Sequence, residues 1–423
     1  MPDKEQIIET VSLPLEMING AVYLIKQANP NSYTHGMFKY PCKFIPEIPR
    51  WGINTFLPDK KGTIFDPFSG SGTTLLEANI HGMDAYGTEI DDIAKLIIKV
   101  KTTVLNSQKV EVLEQEYSEI MKRIVQDQAE QFRPEIVNLE HWFSERTIRE
   151  LGRMKSCIDC VQDTDVRDFL NLCMVSIIKR VSNADDTSPK PYVSNKVKKV
   201  PPPVTKEFSS VFRRYKQMMT ELSGIEKIGH TRLIEGDALT FQMPVGIELV
   251  VTSPPYINAF DYGRTMRLEN LWMATLTEEE LREKKSQYIG TEKINTKKEK
   301  SSLTILERSG LLKKYFYQIV EQDEKRALVV KRFFEDMEEN LRTVYEQMNP
   351  GGKYIIVIGN STIRKVVIES WRVIEELANR LGYRTIQHFG YIIQNPYIRI
   401  PRQGMGGKIS IDYVLVLEKK EIQ

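Results

Sequence analysis

The chain has 423 residues, of which 41% are hydrophobic and 27% charged, a composition typical of a globular protein with one large or two ordinary domains. Its formal net charge of +2 is close to neutral, so binding to nucleic acid would have to come from local basic patches. No apolar run has the length of a signal-peptide core or a membrane span, and we expect an intracellular protein.

The four cysteines are too few for a disulfide framework in a chain of this size. Cys157 and Cys160 have the CxxC spacing of many zinc sites, but no second pair and no histidine lies near them in the sequence. We therefore expect thiols on a helix face and no bound metal.

The chain is expected to begin with a helical or irregular lead-in over residues 1–32. Pro41, Pro46 and Pro49 then predict a turn and the start of a helix that contains Trp51 and Ile53. His35 and His81 are interpreted as ordinary surface or capping residues. Taken alone, this part of the chain indicates no function.

A strand–turn–helix–strand pattern follows. Its segments are a strand at 63–65, a glycine-rich turn at 66–72, a helix at 73–81 closed by Gly82, and a strand at 85–89. The second strand ends in Glu89, about twenty residues beyond the turn, the arrangement expected of a nucleoside-binding Rossmann-like half.

Two rival interpretations of the glycine-rich turn fail. A Walker loop needs a lysine directly before the Ser or Thr, and Gly72 stands there before Thr73. The dinucleotide form needs a glycine three residues beyond Gly72, where the chain has Leu75. Because Asp66 opens the turn, the ligand is better imagined as a nucleoside with an amino-acid tail than as a nucleotide.

Residues 101–230 interrupt this pattern and are too long for a simple crossover. Helical spacing over 108–132 and 145–181 predicts helices, and a basic stretch with interleaved aromatic residues, including Phe208, Phe212 and Tyr215, follows. A surface of this kind suits nucleic-acid phosphates, and a solvated linker is the alternative. The candidate DNA-binding residues are Lys190, Tyr192, Lys196, Lys198, Lys199, Arg213 and Arg214.

A short apolar run at 249–251 is ended by Pro254 and Pro255, which cannot donate to a sheet ladder. A buried strand is therefore predicted to deliver Ser253 and Tyr256 to a rigid turn at the carboxyl edge of a sheet, where open α/β folds bind ligands. An ordinary Pro-Pro turn with a packed tyrosine is the alternative. Upstream, residues 233–238 predict a third strand and turn that bear Asp237.

The remainder predicts further elements of the same sheet. The charged residues 277–300 form either a loop that closes on DNA or a plain solvated loop. A helix at 333–348, a strand at 353–359 and a helix at 368–381 precede an antiparallel pair at 384–393 and 409–417. The tip between the paired strands, 399–408, is a candidate phosphate contact.

Two motifs together resemble the S-adenosylmethionine-dependent DNA amino-methyltransferases, in the branch that modifies N4 of cytosine and belongs to restriction-modification systems. They are Asp66-Pro67-Phe68-Ser69-Gly70-Ser71-Gly72-Thr73 and Thr252-Ser253-Pro254-Pro255-Tyr256. The segment 41–48 resembles the helix-entry motif that borders the cofactor in this family. The resemblance covers roughly residues 35–100 and 230–420, and it specifies methyl transfer to a base amino group better than it specifies the base.

The resemblance implies an α/β fold, a Rossmann-like class I methyltransferase sheet with helices on both faces, plus a largely helical insertion. Residues 1–100 and 231–423 would form the catalytic domain. Residues 101–230 would be the insertion and the first candidate for target recognition, and a second charged insertion, 275–330, would be the next candidate.

The resemblance also implies roles for single residues. Asp66 would lie near the cofactor's amino group, Glu89 would take the ribose hydroxyls, and Asp237 would accept from the adenine amino group. The implied cofactor-binding residues are Lys43, Phe44, Asp66, Pro67, Phe68, Gly70, Gly72, Thr73, Glu89, Ile90, Asp237 and Ala238. The implied catalytic residues are Ser253, Pro254, Pro255 and Tyr256.

The implied reaction transfers a methyl group from S-adenosylmethionine to cytosine N4 in double-stranded DNA, after the base has been flipped out of the duplex. Ser253 opens the second motif where adenine-modifying relatives tend to have Asp or Asn. DNA adenine-N6 methylation, guanine-N2 methylation of RNA and a non-catalytic DNA-binding subunit are the alternatives. A cytoplasmic, DNA-associated prokaryotic enzyme is implied, with a cognate restriction endonuclease left open as a second partner and with no metal or membrane.

Overall fold

In the computed structural model, residues 7–26, 29–126, 131–196, 198–257, 261–394 and 409–420 are described. Within these ranges the strands are β1 Ile7–Thr10, β2 Val22–Ile25, β3 Ile64–Asp66, β4 Ala85–Gly87, β5 Thr231–Leu233, β6 Ile247–Thr252, β7 Met348–Gly359, β8 Ser361–Ile363, β9 Val366–Ile368, β10 Tyr383–Ile392 and β11 Ile411–Lys419. The candidate phosphate contact at 399–408 lies outside the described residues.

The α-helices of the described ranges are α1 Glu47–Phe56, α2 Thr73–Ile80, α3 Asp92–Thr102, α4 Ser107–Gln126, α5 Leu139–Trp142, α6 Glu145–Asp159, α7 Thr164–Val181, α8 Val204–Ser223, α9 Tyr262–Thr265, α10 Arg267–Met273, α11 Glu278–Lys284, α12 Thr296–Lys300, α13 Gly310–Val320, α14 Glu324–Gln347 and α15 Ser370–Arg380. Within these ranges they include two long runs without a strand, α3 to α8 between β4 and β5 and α9 to α14 between β6 and β7. None of these helices is both long and apolar enough to cross a lipid bilayer.

Nine of the described strands form one mixed sheet in the order β1-β2-β10-β11-β7-β6-β3-β4-β5. β11 runs antiparallel to both of its neighbours, β10 and β7, whereas β7, β6, β3, β4 and β5 pair in parallel. The predicted antiparallel pair near the end of the chain is confirmed. The expected class I α/β sheet is confirmed as well.

The central strands of the sheet are buried on both sides, so their apolar side chains pack into a core on each face. On one face, Leu249 and Val251 of β6 pack in a core with Ile48 and Trp51 of α1. On the other face, Val250 lies in a core formed largely by α14 and α15. A single continuous apolar run in the sequence thus serves two cores.

Helices α4–α8 lie between β4 and β5 in the chain and share an apolar core with α3 and α10. Phe208, Phe212 and Tyr215 of α8 are buried in that core. Their expected place on a phosphate-binding surface is therefore wrong, because their helical spacing puts them on the inner face of α8.

The lead-in expected to be helical or irregular instead supplies β1 and β2, which pair in parallel and add to the edge of the sheet at β10. His35, expected at the surface, is 1% exposed, and its Nε2 lies 2.9 Å from Glu77 Oε1. Arg50 Nη2 donates to the same oxygen at 2.8 Å. These bonds attach α1 and the segment before it to α2 and so position Tyr40, Lys43 and Phe44.

Candidate active site

The glycine-rich turn and the Ser-Pro-Pro-Tyr turn are neighbours at one edge of the sheet. They follow β3 and β6, which are adjacent and parallel, with Ile64 opposite Leu249 and Phe65 opposite Val250. Two side-chain hydrogen bonds join them: Thr252 Oγ1 donates to Asp66 Oδ1 at 2.5 Å, and Thr74 Oγ1 donates to the Val251 carbonyl at 2.9 Å. The strand order reverses here, which is where open α/β sheets bind ligands.

Asp66 links the glycine-rich turn to the end of β6. Its side chain is fully buried, and Oδ1 accepts from the Phe68 amide at 3.1 Å as well as from Thr252. Burial raises the pKa of Asp66 to about 6, although these hydrogen bonds lower it. The carboxyl group lies beneath the turn, and its Oδ2 has no hydrogen-bond partner in the described structure, so its expected contact with a cofactor amino group stays a prediction.

The glycine-rich turn approaches its neighbours too closely for larger residues. Gly70 and Gly72 have φ of +51° and +74°, which favours glycine. A Cβ on Gly87 of β4 would lie 2.2 Å from Ser69 Oγ. Lys101 is buried beneath the turn and donates to the Ser71 carbonyl at 2.6 Å, while the buried Ser71 Oγ has no hydrogen-bond partner in the described structure.

A cleft of about 870 Å³, open to solvent at its mouth, lies over these two turns. Most of the residues expected around a cofactor line it, together with part of the second turn. The expected residues on its walls are Lys43, Phe44, Pro67, Phe68, Gly70, Thr73, Glu89, Ile90, Asp237, Ala238, Ser253 and Pro255. The expected residues that do not line it are Asp66, Gly72, Pro254 and Tyr256.

Glu89 follows the end of β4 by two residues. Its Oε2 accepts from the Gly70 amide, and its Oε1 accepts from the amides of Ile90 and Asp91, each at 2.8 Å. Burial raises the pKa of Glu89 to about 7, although these amides lower it. The carboxylate is therefore fixed in direction and can titrate near neutral pH.

Asp237 occupies the turn after β5. Its Oδ1 accepts from the Leu239 amide at 2.9 Å and from the Thr240 amide at 3.0 Å, which leaves Oδ2 outside these bonds. The neighbouring Ala238 carbonyl accepts from Asn340 Nδ2 at 2.7 Å, so α14 holds this wall of the cleft in place.

Three tyrosines from distant segments form an aromatic wall, of which the sequence indicated only Tyr262 as a residue near the cleft. The Tyr40 and Tyr262 rings are stacked with centroids 5.7 Å apart, and Tyr262 and Tyr288 are stacked with centroids 6.3 Å apart. The Tyr288 hydroxyl donates to Asp91 Oδ2 at 3.1 Å. The charged segment that contains α11 thus packs against the cleft and is not a plain solvated loop.

Tyr256 is partly buried at the end of the Ser-Pro-Pro-Tyr turn. Its hydroxyl donates to Asp412 Oδ1 of β11 at 2.7 Å. Ser253, at the start of the same turn, is partly exposed and lies on the cleft wall. Burial and Asp412 raise the pKa of Tyr256, whereas a hydrogen bond with Ser253 lowers it, so the two ends of the motif lie close together.

The candidate DNA-binding residues do not form one surface of free charges. Lys199 is mostly buried, and its Nζ donates to the carbonyls of Lys179 and Ala184 and to Asp186 Oδ1, so its expected role as a phosphate ligand is wrong. Arg213 and Arg214 are exposed on α8, and Tyr192, Lys196 and Lys198 are exposed in the preceding loop.

The charge of Lys190 acts on Asp261 and Glu292. Burial raises the pKa of Asp261, but a hydrogen bond from Lys285 and the charges of Lys285 and Lys190 bring it below its usual value. The pKa of Glu292 is lowered chiefly by a hydrogen bond from Arg326, with a contribution from Lys190. Asp261 directly precedes the helix that bears Tyr262, so Lys190 and the aromatic wall lie in the same region.

The cleft fits a nucleoside with an amino-acid tail. The buried Ser71 hydroxyl has no hydrogen-bond partner in the described structure, and Glu89 has a fixed carboxylate. Apolar surface for a flat ring comes from Phe68, Ile90 and Leu239. In the described ranges, no group of three or more His, Cys, Asp or Glu side chains is placed to hold a metal ion. These residues match the chemical groups of S-adenosylmethionine.

Comparison with known proteins agrees with this geometry. A family model described as DNA methylase matches residues 9–100. The Type II methyltransferase M.MvaI of Kocuria varians is 27% identical over 96% of this chain and 93% of that protein. The Type II methyltransferase M.BsoBI of Geobacillus stearothermophilus is 27% identical over 61% of this chain and 56% of that protein.

Solved structures are more distant. A DNA modification methylase from Thermus thermophilus, complexed with S-adenosylmethionine, is 21% identical over 22% of this chain and 40% of that one, with a TM-score of 0.19. An overlap this slight carries no argument about this chain.

The bond between Thr252 and Asp66 predicts a pH-dependent loss of stability. Thr252→Val removes the hydroxyl donor but keeps the side-chain shape, so the free energy of unfolding should fall by about 1.5–3 kcal/mol near pH 8, where Asp66 is ionised, and by about 0.5–1.5 kcal/mol near pH 5. The sign follows from the pKa of Asp66, about 6, because only the ionised carboxylate forms the stronger, charge-assisted bond.

Urea unfolding at the two pH values measures this difference. Thr252→Ser keeps the hydroxyl and is the matched control, with an expected loss below about 1 kcal/mol from the missing methyl group. Equal losses for the valine variant at both pH values would contradict the assignment of an ionised Asp66 to this bond.

Proposed function

We propose that the chain is an S-adenosylmethionine-dependent DNA methyltransferase that acts on N4 of cytosine in double-stranded DNA. One observation carries the choice of base: Ser253 opens the turn after β6 and lies on the wall of the same cleft as the glycine-rich turn. A hydroxyl at this position favours cytosine within the family, whereas Asp or Asn favours adenine.

The amine is activated by acceptors in this proposal. The lone pair of a cytosine amino nitrogen is delocalised into the ring, which makes the nitrogen a poor nucleophile. Ser253 Oγ and the Pro254 carbonyl each accept one N–H, favouring a tetrahedral nitrogen with a free lone pair. Pro255 restricts the backbone after that carbonyl and so helps to fix its direction.

S-adenosylmethionine, when bound, supplies an activated methyl group, so the protein's contribution is alignment and electrostatics. Pro67, Phe68 and Gly70 bound the methionine part, and Glu89 accepts from the ribose hydroxyls. Asp237 Oδ2 accepts from the adenine amino group. The Thr252 bond to Asp66 keeps the two sides of the cleft at a fixed separation.

A base inside a duplex cannot reach this cleft, so the target cytosine must be flipped out. Tyr256 bounds the flipped base from the side of β11, a contact worth about 1–3 kcal/mol by analogy with other base–aromatic platforms. The aromatic wall of Tyr40, Tyr262 and Tyr288 lies across the cleft and shields the reacting groups from water.

The product of the reaction tests the proposed function. The purified protein, incubated with duplex DNA and S-adenosylmethionine that carries a tritiated methyl group, should yield labelled N4-methylcytosine after digestion to nucleosides. Ser253→Ala should slow the transfer by about 10–100-fold with little change in cofactor affinity, because one acceptor of the amine is lost. Label on adenine N6 would reassign the base, and label only on transfer RNA would reject DNA as the substrate.

The pKa of Glu89 predicts how cofactor affinity depends on pH. In the free protein this carboxyl has a raised pKa of about 7, so lowering the pH through that value protonates it and removes an acceptor for the ribose. Affinity for S-adenosylhomocysteine should therefore fall by about 10-fold between about pH 8 and about pH 6.

Isothermal titration calorimetry at both pH values measures this affinity. Glu89→Gln is the matched control, because it shares every other titrating group, the ligand's own amine included. Its affinity should be weak and nearly constant in pH after correction for the ligand. A wild-type slope no steeper than that of the glutamine variant would remove Glu89 from the ribose site.

We propose that the loop bearing Lys190 and the exposed face of α8 bind DNA phosphates next to the cleft. Exposed Lys190, Lys196 and Lys198 precede α8, whose Arg213 and Arg214 are also exposed. The loop and α8 belong to the segment between β4 and β5, which makes 101–230 the first candidate for target recognition and 275–330 the second. As relatives named Type II methyltransferases suggest, a cognate restriction endonuclease would be a further partner.

Charge reversal tests the position of Lys190. Lys190→Glu should weaken binding to duplex DNA at all sequences and reduce the slope of log affinity against log salt by about 1, because one phosphate contact is lost. Fluorescence anisotropy over a salt series measures both effects. Lys61→Glu, at the opposite edge of the sheet before β3, is the control and should change neither; equal effects of the two variants would contradict a local contact.

A further inference from the structure

Asp412 of β11 joins two tyrosines inside the sheet. Its Oδ1 accepts from the Tyr256 hydroxyl at 2.7 Å, and its Oδ2 accepts from the Tyr391 hydroxyl at 2.9 Å. The residue is 7% exposed. Both oxygens of the carboxyl group therefore accept from phenols, and one of these phenols belongs to the Ser-Pro-Pro-Tyr turn.

The neighbouring strand leaves room for this arrangement. Gly359 of β7 pairs with Asp412 in the β7–β11 ladder. A Cβ on Gly359 would lie 2.6 Å from Ile409 Cγ2, 3.0 Å from Tyr256 Cε2 and 3.1 Å from Asp412 Oδ1. Because the glycine has no side chain, the Tyr256 ring can lie over β7 while its hydroxyl reaches β11.

Backbone constraints alone do not orient the Tyr256 ring. Pro254 and Pro255 restrict the main chain before it, but the side-chain torsions of Tyr256 are free to rotate. A hydrogen bond to an acidic acceptor is stronger and more directional than one to a neutral group. The contact with Asp412 therefore selects one ring orientation at the end of the turn that begins with Ser253.

We propose that Asp412 is a positioning residue for methyl transfer, which acts through Tyr256 by holding the phenol so that the ring bounds the target base beside Ser253. The inference rests on the proposed function and extends it from the turn to β11, which lies two strands from β6. Asp412 lies outside both motifs, so sequence motifs alone would not suggest the role.

A double-mutant cycle tests this inference. Asp412→Asn and Tyr256→Phe should each lower kcat by about 10-fold. Both changes disrupt the same Tyr256–Asp412 hydrogen bond, so the double variant should be at most about 2-fold slower than the slower single variant. KM for S-adenosylmethionine should stay within about 2-fold in all three, since the cofactor residues are untouched.

The matched control is Tyr383→Phe, which removes another buried phenol of β10, bonded to the Leu341 carbonyl at 2.9 Å. It should cost stability in a thermal melt without lowering kcat, whereas a general weakening of the sheet would lower kcat here too. If Asp412→Asn does not fold, Gly359→Ala supplies the test: the added methyl group displaces the Tyr256 ring and should lower kcat with KM for the cofactor unchanged.

Multiplicative losses in the double variant would overturn the inference, as would a rise in cofactor KM that matches the fall in kcat. An unchanged kcat in Asp412→Asn, or in Gly359→Ala where that variant is used, would overturn it too. A wild-type protein that methylates no DNA would contradict the proposed function itself, so the two failures are distinguishable.

Discussion

The hydrogen bond from Thr252 to Asp66 is the contact on which the arrangement of the site depends. Asp66 ends β3 and begins the glycine-rich turn, and Thr252 ends β6 and begins the Ser-Pro-Pro-Tyr turn. Since the two strands are parallel neighbours, their carboxyl ends meet at one edge, and the bond sets the separation of the two turns there. Burying a carboxyl group is costly, and the cost is offset only while the hydroxyl and the Phe68 amide remain in place.

Other buried hydrogen bonds around this central contact have a similar structural role. Buried polar groups join segments that are far apart in the chain: Glu77 binds His35 and Arg50, Lys101 binds the Ser71 carbonyl, and Asp412 binds Tyr256. Each of these bonds holds one wall of the cleft against the sheet. The cleft is thus built before any ligand enters, as expected of a site whose catalysis consists mainly of alignment.

Local patterns in the sequence predicted the parts of the fold that are local in origin. The two turns, the strands that lead into them and the antiparallel pair formed by β10 and β11 follow from short apolar runs, prolines and glycines. Sequence reasoning failed for His35 and Lys199, where a polar group finds its partner in a distant segment. It also misplaced Phe208, Phe212 and Tyr215. The aromatic and basic residues alternate in the sequence, but the helical period of α8 places the aromatic ones on its inner face and the basic ones on its outer face. The wall of Tyr40, Tyr262 and Tyr288 combines three segments, and no one of them shows it alone.

A structure of the protein with S-adenosylhomocysteine and a duplex that contains its target site tests most directly whether one cleft serves both reactants. We expect the cofactor sulfur to lie over the glycine-rich turn. The amino group of an extruded cytosine should donate to Ser253 Oγ and to neither DNA strand, with its nitrogen about 3–3.5 Å from the position that the methyl group of S-adenosylmethionine would occupy. A cofactor bound outside this cleft, or a target amine that contacts the protein away from Ser253, would contradict the proposed arrangement.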